Sequence, residues 1–234
     1  MTSSVQNGTI GSITHRATGR KWAVHMTLIE SECQADQLEE DIYEDCYILG
    51  SEHEPATFDL FVQWLYTRKY QEKEGLAESL VTWELPASLE SVTPQDLRLV
   101  TDGVMDGAVK AAILCWELGA SLGAKGFQNY TMERLFEALS RPLAQPLTVN
   151  AILHTFDVKN EENYHGKSPL QRLIQDVIAR NWGDDAVVQH TDQELWSHVL
   201  EFCPYFRSVM IEATRHTLEK RRELGLSLEN YLIQ

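Results

Sequence analysis

Residues 54–70, EPATFDLFVQWLYTRKY, decide how the rest of this chain is read. Pro55 stands where a first helical turn tolerates a missing N–H. Phe58, Phe61, Val62, Leu65 and Tyr66 then recur at i, i+3, i+4, i+7 and i+8. Leu60 and Trp64 lie off that stripe, so the helix is apolar on nearly every side. Such a helix belongs in the middle of a core. Trp64 is therefore expected to be buried; the alternative use of Trp64 or Tyr66 is to anchor a partner.

Upstream of this helix, residues 1–10 read as a tail. Residues 9–15 and 21–25 read as short strands joined by a turn at Thr18 and Gly19. Residues 26–42 are acidic and weakly helical, and 43–49 (YEDCYIL) fit one more short strand. Downstream, 71–92 carry many acids and a Leu85-Pro86 break without a sustained period, which predicts a long acidic loop. Thr93-Pro94-Gln95-Asp96 opens a helical stretch. The next helix, over 104–121, presents Val104, Ala108, Ala111, Ala112, Cys115, Leu118 and Leu122 on one small-residue face. Gly123 and Gly126 separate it from a helix over 127–139.

The remainder is predicted all-helical. Helices are expected over 148–157, over 169–182 behind Ser168-Pro169, and over 192–201 behind a Thr191/Glu194 capping box. A polar loop over 159–167 precedes Ser168-Pro169, and a last long helix runs from Cys203-Pro204 to about Leu224. The fold class is α+β, predominantly helical. Pro142 and Pro146 mark the best boundary, giving a domain over 1–140 and a helical C-terminal extension over 141–234.

Charge and motifs narrow the function by exclusion. The formal net charge is −15, with 35 acidic against 20 basic side chains. Nucleic acids are bound by cations that neutralise phosphates, and anionic membrane surfaces repel such a chain, so neither is an expected partner. Cys33, Cys46, Cys115 and Cys203 are far apart, without the C-x-x-C spacing of a zinc or redox site. The first residues lack a signal peptide's apolar stretch, and no run approaches the ~18 apolar residues of a membrane span, so a cytoplasmic or nuclear location is expected. The N-x-T sequons at Asn7 and Asn129 then read as chance matches.

The eight histidines include no helical i, i+3 or i+4 ligand pair, and no nucleophile elbow, phosphate loop or dinucleotide fingerprint occurs. Asp184-Asp185 reads as a solvated turn and Lys220-Arg221-Arg222 as the cationic end of a helix. No catalytic residue, metal or cofactor is expected.

Three segments carry a family resemblance. Residues 54–70 resemble the helix of fungal BTB/POZ proteins that runs into W-L-Y-T. Residues 114–139, LCWELGASLGAKGFQNYTMERLFEAL, resemble that domain's closing helices. Residues 167–182, KSPLQRLIQDVIARNW, resemble a segment found downstream of it in many fungal members; beside these three segments, the short element Val24-His25 with Leu28 resembles the one between second strand and first helix. The resemblance implies a small sheet flanked by helices and a non-enzymatic role in protein–protein interaction, often as a homodimer. The alternative it implies is a substrate adaptor for a cullin-type ubiquitin ligase.

The chain departs from the family at Ser31-Glu32-Cys33-Gln34-Ala35, where an S-p-F/Y-F helix is usual, and several residues fewer precede Leu49. Leu38-Glu39-Glu40 fits the hydrophobic-x-Glu motif of the cullin adaptors. The candidate interaction surface is therefore Met26, Leu28, Ile29, Leu38 and Glu40. Because acids follow Met26, Leu28 and Ile29 in the same segment, the expectation is a weakened homodimer, in equilibrium with monomer and favoured by salt.

Overall fold

The structure, a computed structural model, describes residues 9–34, 39–41, 46–78, 80, 104–155 and 168–234, with backbone alone at 39–41 and 202. It is α+β and predominantly helical, as expected. The chain divides into two compact units: Met1–Glu72 with Ala111–Thr131, and Lys73–Lys110 with Met132–Gln234. The boundaries at 110/111 and 131/132 fall within helices and the one at 72/73 in a loop, whereas the proline stretch 141–147 lies inside the second unit.

The first unit is built on a four-stranded sheet. Strands β1 (Ile10–His15) and β2 (Lys21–His25) form the expected antiparallel hairpin, with Ile13 opposite Trp22 and Gly11 opposite Val24. Gly19 turns it with φ +66°, a backbone region that costs an L side chain energy. Helix α1 (Met26–Glu32) follows, then β3 (Glu39–Asp41) and β4 (Cys46–Leu49). The sheet order is β2-β1-β4-β3, with β4 parallel to β1 and β3 antiparallel to β4. β3 lies within the segment 26–42 that was expected to be weakly helical, of which 35–38 and 42 lie outside the described residues. Its Glu-Glu-Asp has no strand propensity, so cross-strand pairing with β4 decides it.

Helix α2 (Pro55–Thr67) is the central element of this unit. Thr57, Phe58, Phe61, Trp64 and Leu65 are its buried residues, a stripe rotated slightly from the one expected. Trp64 is 4% exposed, whereas Tyr66, expected on the stripe, is 48% exposed. The buried stripe meets Ile13, Trp22, Val24, Leu118 and Phe127 in one apolar core. Phe127 is the hub of an aromatic cluster, with ring centroids 5.0 Å from Phe61, 5.2 Å from Trp64 and 6.1 Å from Tyr70.

Helices α3 (Gly107–Ser121) and α4 (Lys125–Ser140) follow the strand pair of the second unit in sequence. Their turn needs glycine. Gly123 has φ +63°, and a Cβ on Gly119 would fall 2.7 Å from Gln128 Cγ.

In the second unit β5 (Leu76–Glu78) pairs antiparallel with β6 (Val104–Asp106). Val104 was expected on the buried face of a helix; it is instead a strand residue, 46% exposed, and α3 starts at Gly107. Asp106 explains the switch. Its buried carboxylate accepts from the N–H groups of Ala108 (3.0 Å), Val109 (3.4 Å) and Ala144 (3.1 Å) and pairs with Arg141, so it caps α3. The Thr93–Asp96 helix start, most of the 71–92 loop and the 159–167 loop lie outside the described residues.

The other helices are α5 (Val149–Thr155), α6 (Pro169–Asn181), α7 (Gln193–Phe202), α8 (Pro204–Thr214) and α9 (Leu218–Glu223), followed by a 3-10 turn at Leu228–Tyr231. α6 is the hub, touching α5, α8, α9 and the 3-10 turn. Buried Arg221 closes its C-terminus by donating to the carbonyls of Ala179 (2.7 Å) and Trp182 (2.5 Å).

Two sequence expectations are corrected here. The cap of α7 is Asp192, which accepts from Leu195 N, rather than Thr191. The last long helix is two helices, because Thr217 caps a fresh start by accepting from Lys220 N. Among the described residues no helix is long and apolar enough to cross a membrane.

Candidate interaction surface

Of the five residues singled out, Met26 and Ile29 are core, with 9% and 2% exposure. Met26 lies so close against β1 that a Cβ on Gly11 would fall 2.4 Å from its Sδ. Both are spent on packing the monomer. Leu28 is half-buried against the same core and is the apolar α1 residue of the three that still reaches the surface. Glu40 is the middle residue of β3, and Leu38 lies outside the described residues. The structure thus brings Met26, Leu28 and Ile29 together on one short helix, mostly facing inward.

A different surface stands out at the hairpin edge. Among the described residues β2 ends the sheet order, with no strand on its outer side. Met26 N donates to Thr9 O and His15 N to Arg20 O, which sets the alternation: Trp22 and Val24 bond towards β1, and the backbones of Ala23 and His25 face the open edge. Tyr66 closes the His25 position, its hydroxyl accepting from His25 N at 3.1 Å and sitting 2.9 Å from His25 Nδ1. The two rings meet edge-on with centroids 5.8 Å apart. Ile10, the cross-strand partner of His25, is 62% exposed. Ile10, His25 and Tyr66 therefore form an exposed apolar and aromatic patch beside the outer strand β2, whose edge N–H at His25 is already taken by Tyr66. The sequence offered Tyr66 as an alternative partner anchor, although it fits the helical period nearly as well as its buried neighbours.

The hairpin is fastened to α2 beside this patch. Asp59 Oδ1 accepts from Trp22 Nε1 at 2.8 Å and from Arg20 Nη2 at 2.7 Å. At the other end of α2, Arg68 takes a left-handed backbone, φ 59°. It places its guanidinium 4.8 Å from the Trp64 ring and bonds Glu32 Oε1 at 2.6 Å. Glu32, one of the acids that follow the apolar start of α1, is thus neutralised within the unit.

Ser121 and His53 are the arrangement that most resembles catalytic machinery, with Ser121 Oγ 2.9 Å from His53 Nε2. The proton bookkeeping runs against nucleophilic attack. Ser121 donates its hydroxyl proton to Leu118 O at 2.9 Å, so His53 Nε2 must be the donor towards Ser121 and cannot act as its base. Glu52 lies 3.8 Å from that same nitrogen rather than behind the ring at Nδ1, where an orienting acid belongs. Burial holds His53 below the usual histidine range against the opposing pull of Glu52 and Glu117. Its carbonyl accepts from buried His15 Nε2 at 2.9 Å, while His15 Nδ1 accepts from Thr18 N at 3.2 Å. The arrangement ties the hairpin turn, the start of α2 and the end of α3 together.

The cysteines are equally inert. All four are buried and none is in a disulfide; burial pushes the Cys33 thiol up to about 12 and those of Cys115 and Cys203 above the usual range. Among the described residues no group of three or more His, Cys, Asp or Glu is placed to hold a metal ion.

Compared with known proteins, the chain matches no family model, no curated protein and no solved structure.

Proposed function

We propose that this chain is a non-enzymatic protein-interaction module of the BTB/POZ kind, which self-associates weakly through its first unit. The observation that carries this reading is the exposed Ile10/His25/Tyr66 patch at the outer hairpin of the sheet. Aromatic residues with an apolar neighbour are what the centre of an interface is made of. The small sheet packed on α1, α2 and α3 in the first unit supports the family part of the reading, as do the three sequence segments that suggested it. The committed protons of Ser121 and His53 and the burial of every cysteine support the non-enzymatic part.

Self-association is tested by light scattering behind size exclusion on the wild type and on Ile10→Asp and Tyr66→Asp. Both residues are exposed, so both variants are expected to fold and to lose the dimer that the wild type forms at high concentration. Variants that associate like the wild type would move the interface elsewhere. The adaptor alternative is told apart by pull-down against a cullin scaffold, which this reading expects to return nothing.

A further inference from the structure

We propose that the second unit carries a binding site for a small organic acid, a carboxylate on an apolar body. A cavity of about 520 Å³ lies among α4, α6 and the segment after α9. This is within the range of ~300–1,000 Å³ usual for small-molecule sites. Leu173 and Val177, one turn apart on α6 and both buried, face it together with half-buried Phe136 and Leu139 of α4. That wall is apolar and suits an aromatic or aliphatic body.

Three arginines line the same cavity, Arg141, Arg180 and Arg222. Such a concentration of cations is unexpected in a chain with 15 more acids than bases. Two of them are compensated, Arg141 by Asp106 at 3.2 Å and Arg222 by Asp184. Arg180 is not. Among the described residues it pairs with no carboxylate; Nη2 donates to the carbonyl of Arg222 at 2.6 Å, and Nε is buried without an acceptor. A guanidinium offers five N–H donors in a planar fork that matches a carboxylate, and a buried donor without a partner carries a free-energy cost that such a ligand removes.

The two features together define the ligand class. An inorganic anion would satisfy Arg180 and leave the apolar wall unused, and a neutral apolar molecule would fill the wall and leave Arg180 unpaired. An amphipathic monocarboxylate does both. This site is independent of the interaction surface on the first unit and stands or falls without it.

The test is calorimetric titration of the full chain with naphthoate and with its neutral analogue naphthylmethanol. Naphthoate is expected to bind at one saturable site, at least about tenfold more tightly than the alcohol, since a charge-assisted bond is at stake. Arg180→Gln is expected to weaken naphthoate by about tenfold or more and leave the alcohol unchanged, with Arg180→Lys in between. Ser140→Trp, at an exposed lining position, is expected to weaken both ligands without changing the circular dichroism. No naphthoate binding at millimolar concentration, an alcohol that binds as well as the acid, or an Arg180→Gln variant that binds naphthoate like the wild type would each overturn the proposal. Should Arg180→Gln fail to fold, the comparison of acid with alcohol on the wild type decides alone.

Discussion

Replacing Trp64 by alanine probes the centre of the first unit. The indole is 4% exposed and lies 5.2 Å from the Phe127 ring and 6.1 Å from that of Phe61, with the Arg68 guanidinium at 4.8 Å. Gly126 presses close beneath it: a Cβ there would be 3.4 Å from the ring. An alanine would leave a cavity between the Phe61 and Phe127 rings and the Gly126 backbone. Truncating a buried large aromatic costs ~3–5 kcal/mol. The middle of that range, about 4 kcal/mol, stands against a total domain stability of ~5–15 kcal/mol. With a urea dependence of about 2 kcal/mol per molar, the midpoint falls by about 2 M. The assay is urea unfolding followed by far-ultraviolet circular dichroism, with Tyr66→Ala as control. Tyr66 is exposed on the same helix and loses little beyond its bonds to His25, about 1 kcal/mol. A Trp64→Ala midpoint no lower than that of Tyr66→Ala would refute the burial argument.

Three further outcomes are expected. Asp106→Ala removes the cap of α3 and orphans the Ala144 N–H, a loss of about 2–4 kcal/mol in thermal unfolding, while the half-exposed Arg141 pair adds little; Asp106→Asn, which keeps an acceptor, recovers part of it. His53 is held below the ordinary histidine range, so the unfolded chain binds more protons there. Stability is then full above about pH 6.5 and declines as pH falls through that value, and His53→Gln flattens the decline in a pH series of unfolding midpoints. The four cysteines react slowly with a disulfide-exchange reagent in the native protein and all at once in denaturant; rapid labelling of the folded chain would contradict their burial.

The elements with a strong local signal were legible in the sequence. The hairpin over 9–15 and 21–25 and the start of α2 at Pro55 stand where the alternation, turn residues and proline put them. What was missed depends on partners distant in the chain. Leu76–Glu78 and Val104–Asp106 are three-residue strands that pair across an intervening stretch of over twenty residues, too short to show alternation. Val104 also fits the period of the helix behind it, so nothing local separates strand from helix until Asp106 is seen to cap α3. Two residues of the candidate surface are buried for a related reason. Met26 and Ile29 read as an apolar face looking for a partner, and β1 at Gly11 supplies that partner within the unit. Tyr66 erred in the opposite direction, since one helical step of about 100° decides whether it joins the core.

The central claim is weak self-association through the first unit, and sedimentation velocity at about 0.05 M and 0.5 M salt tests it most directly. Each copy carries a formal charge of −15, and Glu30 is exposed on α1 beside half-buried Leu28. The repulsion between copies is therefore greatest at low salt and screened at high salt. The expected result is a monomer at low salt whose dimer fraction grows with both concentration and salt. A chain that stays monomeric at every concentration and salt, or a tight dimer indifferent to salt, would contradict the account.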